Sequence, residues 1–261
     1  MNRLLDHVLA ACRDVGREEV MPRYLKVAHQ RKVDGSLLTE ADLAAQNALL
    51  KRLQAIAPYP VLGEEMTEAE QRAVWEMGGD AFWCVDPIDG TSNFVNGLPY
   101  FAISVALVRD RKSVLGVVFD PAANEAFHAI EGQGAFLDGE RLPIKNPPTE
   151  LQRCMAGIEL KRIDRELAGR LAFEHPFSSQ RNLGASTLDW CYLAAGRMHV
   201  YLHGGQKIWD YAAGCLILRE AGGAACALDG SDFQSADPWN RSVLAALTPG
   251  LLSQWREWGG G

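Results

Sequence analysis

The sequence predicts an α+β first half joined to an α/β second half. Two patterns and one break carry that reading. Residues 101–108, 114–119 and 125–130 are apolar, strand-like runs separated by turns at Arg109-Asp110 and Pro121-Ala122, the pattern of an antiparallel meander. From residue 155 onward, strand-like and helix-like stretches alternate, which suits an α/β arrangement. Between them, Lys145-Asn146-Pro147-Pro148 interrupts regular structure, so the halves are drawn as residues 1–146 and 147–261.

The elements follow in order. Leu4, Leu5, Val8, Leu9 and Cys12 recur at helical spacing and predict an opening helix up to about Pro22. Thr39-Glu40-Ala41-Asp42 starts a second helix through Leu43, Leu50 and Leu53, with Pro58 beyond its end. The polar stretch Lys32-Val33-Asp34-Gly35-Ser36 between them has the content of a loop. Val61 to Glu65 reads as a short strand ending in two acids, and Phe82-Trp83-Cys84-Val85 as a buried strand. After the meander, residues 132–136 and 138–141 read as further turns. In the second half, Met155 to Glu159 is strand-like and Asp164 to Phe173 helical. Asn182 to Ser186 opens another helix through Leu188, Cys191 and Leu193, and His199 to Leu202 resembles a strand. Trp209-Asp210 then starts an apolar helix to about Glu220, closed by Ala221-Gly222-Gly223.

Of the 261 residues, 48% are apolar and 23% charged, a globular mix able to bury a sizeable core. The net charge of −7, with no Lys/Arg-rich run, argues against non-specific nucleic-acid binding. The six cysteines are scattered, with no C-x-x-C pair, and most lie in apolar context. They read as buried free thiols in a reducing cytoplasm, with neither a disulfide frame nor a zinc site. Residues 1–20 form an amphipathic mixture with four acids and not a signal peptide. No run of eighteen apolar residues occurs, so no membrane-spanning segment is expected.

The most informative stretch is Asp86-Pro87-Ile88-Asp89-Gly90-Thr91-Ser92-Asn93-Phe94. It sets two carboxylates three residues apart on a Pro/Gly-kinked turn at the end of a buried strand. Like charges that close repel unless a cation lies between them, and aspartate oxygens select hard cations such as Mg2+. The competing reading is an acidic surface turn, since P-x-D-G is ordinary turn chemistry. Two other acidic positions have plain explanations of their own: Glu64-Glu65 as a solvated pair, and Asp210 as a helix N-cap.

Taken together, D-P-I-D-G-T-S-N-F (Asp86 to Phe94), G-E-E (Gly63 to Glu65) and W-D-Y-A-A-G (Trp209 to Gly214) resemble the inositol monophosphatase family, within the Mg2+-dependent, Li+-sensitive sugar phosphatases. The likeness runs in order from about Thr39 to Gly223 and includes G-V-V-F-D-P (Gly116 to Pro121) and G-Q-G-A-F (Gly132 to Phe136). The resemblance implies a layered α-β-α-β-α sandwich with the active site between its halves, a phosphoric monoester hydrolase, two to three Mg2+ ions per site, and commonly a homodimer. By the same resemblance Glu64, Asp86 and the carbonyl of Ile88 hold a first Mg2+, and Asp86 bridges to a second held by Asp89 and Asp210. The nucleophile is then metal-activated water, positioned by Thr91 paired with Asp42, with Glu65 supporting Glu64 or acting through a water of its own. For Asp42 the plain alternative is a first-turn acid favoured by the helix dipole. Gly90 lets the chain approach phosphate closely, and Thr91 opens the next element, where free N–H groups bind anions. Lys32 falls where the family places a residue near a third metal.

The substrate side departs from the family. Gly184-Ala185-Ser186 matches its G-T-A segment with altered side chains, so backbone contacts to substrate hydroxyls are expected to persist. The family often carries Glu seven residues before the metal-binding Asp; here that position is His203, which cannot reproduce an acceptor-only carboxylate. A strand-end histidine facing water is the alternative. Lys207 adds positive charge suited to a second phosphate or another anionic group. The expected substrate is an inositol-1-phosphate-like monoester; a sugar or polyol phosphate, histidinol phosphate and a 3′-phosphorylated nucleotide are the alternatives. The other class of reading is a regulatory protein of the same fold that contacts RNA or the transcription machinery. It predicts missing metal ligands or a basic surface, and the sequence has neither.

Overall fold

A computed structural model describes residues 1–26, 29–31, 37–77, 81–235 and 237–259. The Lys32–Ser36 stretch, and with it the expectation for Lys32, lies outside the described residues.

Among these residues the strands form two main sheets and a small hairpin. The hairpin pairs β1 (His29–Arg31) with β2 (Leu37–Thr39). The larger sheet runs in sequence order through β3 (Val61–Gly63), β4 (Phe82–Asp89), β5 (Ala102–Arg109), β6 (Lys112–Asp120), β7 (Glu125–Ile130), β8 (Gly134–Leu137) and β9 (Glu140–Arg141). All its pairings are antiparallel except β3 with β4. The second sheet has the order β11 (Ser179–Arg181), β10 (Met155–Glu159), β12 (Val200–Gln206), β14 (Arg241–Ala246), β13 (Ala224–Cys226). Its β10 pairs in parallel with both β11 and β12.

Three apolar clusters order the layers. Helices α1 (Asn2–Val15) and α2 (Glu40–Ile56) bury Val8, Cys12, Leu49 and Leu53 against one face of the large sheet, on Trp83, Val85, Val105 and Val117. The alternate residues Cys84, Ala106 and Val118 point to the other face. There they meet α6 (Ser186–Ala194) and α7 (Ile208–Glu220), which also cover Tyr201, Val243 and Ala245 of the second sheet. On that sheet's far side α5 (Arg165–Glu174) and α8 (Pro249–Gly259) pack Leu171, Leu251 and Trp255 on Ala156, Ile158 and Val200. The result is α-β-α-β-α. Both faces of the large sheet are covered, so its central strands carry apolar runs, such as residues 82–85 and 115–119, despite being antiparallel. The middle layer is tight: a Cβ at Gly116 would lie 2.9 Å from the carbonyl of Ala213, and one at Gly214 would collide with Trp190.

Several elements differ from the sequence reading. The opening helix stops at Val15 and continues as one wide turn, Gly16–Val20. Residues 134–137, expected in a turn, form β8 and pair with β7. The helix α3 (Glu68–Glu76), capped by Thr67 and Glu70, was not expected, and neither were β11, β13, β14 and α8. Three-residue strands such as β13 carry no period of their own and exist because a neighbour supplies their hydrogen bonds.

Candidate metal centre

The site forms where β3 and β4 end side by side and meet the starts of α6 and α7. Asp86 and Asp89 lie on β4 itself, which takes in the first four residues of the nonapeptide, with an irregularity in its pairing to β5 between these two residues. That irregularity turns both carboxylates toward one place. Carboxylate oxygens of Asp86, Asp89 and Asp210 all lie within 4.8 Å of one another.

Each acid is fixed by its own local chemistry. Ile88 buries its side chain in the core, and its N–H donates to Asp86 Oδ1 at 3.1 Å. Asp89 is gripped from the other half of the chain: the N–H and hydroxyl of Thr187 both donate to its Oδ2, at 2.6 and 2.7 Å. Asp210 is the third residue of α7, not its N-cap, and its Oδ2 accepts the N–H of Lys207 at 2.8 Å. Glu64 and Glu65 follow β3 in a turn and are half-buried, not a solvated pair. Gln71 donates to the carbonyls of Gly63 and Glu64, at 2.9 and 3.1 Å, and Gln46 Oε1 accepts the Glu65 N–H at 3.0 Å.

Burial and mutual repulsion leave these acids short of charge compensation. Burial, then the charges of Glu64, Asp89 and Asp210, push Asp86 well above the usual carboxylate range. Asp89 rises to about 6, chiefly by burial and against the pull of the Thr187 hydrogen bonds. Asp210 rises to about 8, by burial and then by Asp89. Glu64 bears on all three. Three carboxylates gathered from two segments, beside a fourth acid and the Ile88 carbonyl, are the donor set of a hard divalent cation, so the residues fit such an ion.

Thr91 and Asp42 meet beside this cluster. The Thr91 hydroxyl lies 3.3 Å from Asp42 Oδ1 and 3.0 Å from the Ile88 carbonyl. Asp42 uses its two oxygens differently. Its Oδ2 accepts the N–H and hydroxyl of Thr39 in a capping box at the start of α2, while Oδ1 faces Thr91.

The remaining expected residues lie just after β4, at the starts of α6 and α7, and on β12. Gly90 has φ +87°, and a Cβ there would lie 3.0 Å from both the Tyr100 carbonyl and Ala185 Cβ. Ala185 is buried and N-caps α6, Ser186 is its first helical residue, and Asn93 ties Leu183 and Tyr100 together ahead of Gly184. His203 does not face water. It lies within β12, is buried, and its Nδ1 accepts the Gly205 N–H at 3.1 Å. Burial, and then Arg162 and Lys161, push it down to about 3, so the ring is neutral. Lys207 is exposed at the N-terminus of α7. Thr187, Gln46, Gln71 and the buried pair Tyr100–Asp189 escaped the sequence reading. Only Thr187, one residue past a motif, offered a signal.

The inositol monophosphatase family model matches residues 4–257, and the chain belongs to that family of phosphatases. It is 34% identical over 238 residues to an inositol-1-monophosphatase of Mesorhizobium japonicum, covering 88% of this chain and 86% of the relative. It is 33% identical over 242 residues to a protein of Pasteurella multocida named Nus factor SuhB, covering 88% and 87%. Among solved structures, an IMPase of Thermotoga maritima superposes with a TM-score of 0.84 at 30% identity, covering 100% of this chain and 97% of that one. The extragenic suppressor protein SuhB of Bartonella henselae gives 0.86 at 26% identity, covering 98% of each chain. Among the described residues no helix is long and apolar enough to cross a membrane.

Proposed function

We propose that the protein hydrolyses a small-molecule phosphate monoester in a Mg2+-dependent reaction, with an inositol-1-phosphate-like ester as the reference substrate. The observation that carries this reading is the meeting of Asp86, Asp89 and Asp210, with Glu64 beside them, next to the Thr91–Asp42 pair. Glu64, Asp86, Asp89, Asp210 and the Ile88 carbonyl would hold the cations. Bound there, divalent ions supply charge neutralisation at the phosphoryl oxygens and lower the pKa of coordinated water.

The chain's own residues then have distinct tasks. Asp42, its Oδ2 held by Thr39, presents Oδ1 to Thr91. The Thr91 hydroxyl orients the attacking water, accepting its proton as its own passes toward Asp42. The water oxygen bonds to phosphorus, the phosphorus–ester oxygen bond breaks, and the released alcohol takes up a proton. Thr187 fixes one oxygen of Asp89, so the other is directed at the cluster. Glu65 supports the Glu64 turn. The left-handed bend at Gly90 and the Gly184–Ser186 wall leave room for the phosphoryl group and its alcohol.

The test is phosphate release from myo-inositol 1-phosphate, a polyol phosphate, histidinol phosphate and a 3′-phosphorylated nucleotide, with and without Mg2+ and with Li+ as competitor. Release that needs Mg2+ supports the reading; no release from any ester overturns it. The relatives named Nus factor favour a second, non-exclusive reading, a binding role with the transcription machinery. Co-purification with that machinery by an Asp89→Asn protein would reveal it.

A further inference from the structure

The second sheet contains a topological switch point. The parallel neighbours β10 and β12 are followed by connections that leave in opposite senses: β10 passes through α5 on the outer face to β11, and β12 passes through α7 in the middle layer toward β13. Ligands of α/β sheets bind in the crevice beyond the carboxyl ends of two such strands. Here those ends are the turn Lys161-Arg162 and the segment Gly204 to Lys207, next to Asp210.

The crevice is cationic and built. Arg162 Nη1 donates to the Gly205 carbonyl at 2.6 Å, and a Cβ at Gly204 would collide with the Arg162 carbonyl, so the turn is seated on β12. Lys161 and Lys207 make their hydrogen bonds through backbone N–H groups, to Glu159 Oε1 and Asp210 Oδ2. Among the described residues none of the three cations forms an ion pair; the acids nearest them in the chain are Glu159, opposite His203 in the sheet, Asp164, which caps α5, and Asp210. The Lys207 N–H on Asp210 Oδ2, at 2.8 Å, joins the crevice to the acid cluster, and neutral His203 adds no charge of its own.

We propose that the substrate carries a second anionic group, carboxylate or phosphate, besides the phosphoryl group that is cleaved, and that Arg162 receives it with Lys161 and Lys207 around it. This rests on the phosphatase reading above and names the substrate class for the same site. A guanidinium anchored by one N–H keeps further donors for a planar carboxylate or a phosphate.

Matched pairs test it: glycerol 2-phosphate against glycerate 2-phosphate for a carboxylate, and fructose 1-phosphate against fructose 1,6-bisphosphate for a second phosphate. Binding is followed by calorimetry, and kcat/KM by phosphate release where turnover occurs. The wild type is expected to favour the doubly anionic member of at least one pair by about tenfold or more, as charge-assisted hydrogen bonds do. In Arg162→Ala that preference collapses. Arg162→Gln, which retains an amide donor for the Gly205 carbonyl and hence the turn, collapses it too. Equal affinity within each pair for the wild type, or a preference that survives both variants, overturns the proposal. A binding preference lost on substitution, with no phosphate released from any ester, leaves the subsite standing and removes the phosphatase reading instead.

Discussion

Replacing Asp89 by Asn separates what the acid cluster does to the fold from what it does for function. Two carboxylates whose oxygens lie within 4.8 Å repel by about 3 kcal/mol at an effective dielectric of about 20. Asp89 faces two such partners, Asp86 and Asp210. At about pH 8.5, above the values of about 6 and about 8 that burial gives Asp89 and Asp210, both are ionised in the metal-free protein. The Asn oxygen can still accept the two Thr187 hydrogen bonds, and its NH2 faces the remaining carboxylates as a donor. With proton uptake by Asp86 discounting the sum, one pair's worth of repulsion is relieved, about 3 kcal/mol. For a chain of this size that is a rise in Tm of roughly 5–10 °C without metal. Adding Mg2+ should then raise the Tm of the wild type and leave the variant nearly unmoved, while phosphate release by the variant falls by at least about three orders of magnitude. Thermal melts with EDTA and with Mg2+ read both halves. Equal stabilisation of both proteins by Mg2+, or a variant less stable than wild type in EDTA, would refute the reasoning.

Three other substitutions probe groups around the cluster. Thr91→Val removes the hydroxyl between Asp42 and Ile88; kcat should fall by about two to four orders with Mg2+ affinity retained, as titration calorimetry would show. Thr187→Val keeps the N–H to Asp89 but loses the hydroxyl at 2.7 Å. Mg2+ affinity should weaken about tenfold and recover in Thr187→Ser; unchanged affinity in the Val protein would mean that the hydroxyl is idle. Asp189, which accepts the Tyr100 hydroxyl at 2.9 Å, is pushed up to about 8 by burial, with that hydrogen bond pulling the other way. Between about pH 4 and pH 8 the folded state therefore holds a proton that the unfolded chain has released, so stability falls as pH rises through that window. Asp189→Asn should flatten the dependence in urea titrations, and an unaltered slope would assign the loss to other groups.

The clustered acids were legible because each lies inside a short local pattern. An apolar strand that runs into D-P-I-D-G states both the burial and the charge, and the conflict between them points to a cation. The groups that hold those acids were not legible, since they act across the chain. Thr187 and Asp89 are 98 residues apart, and Gln46 reaches Glu65 across 19. No periodicity announces that a glutamine on one helix will close the turn after a strand. His203 shows the same limit: its place near the end of a predicted strand suggested solvent, but three more β12 residues and the Arg162 turn bury it. Middle-layer helices were readable as apolar runs, whereas β13 and β14 depend on partners that local sequence does not name.

The charge layout of the pocket also bears on how a net acidic chain would take the anionic substrate proposed for it. Its overall charge of −7 repels anions at long range, but that field is screened beyond about 10 Å at ordinary ionic strength. What an arriving ester meets is local. At one end, Asp86, Asp89, Asp210 and Glu64 invert sign once divalent ions are bound. At the other, Arg162 and its two lysine neighbours are positive without metal. A singly phosphorylated neutral polyol would engage only the first end, and neutral His203 offers its hydroxyls no carboxylate acceptor. An ester that is anionic at both ends is aligned along the pocket before chemistry, with its scissile group directed to the acids. Selectivity would then follow the spacing of the two anionic groups more than the identity of the carbon skeleton, and lengthening the ester by one carbon at a time would expose that dependence.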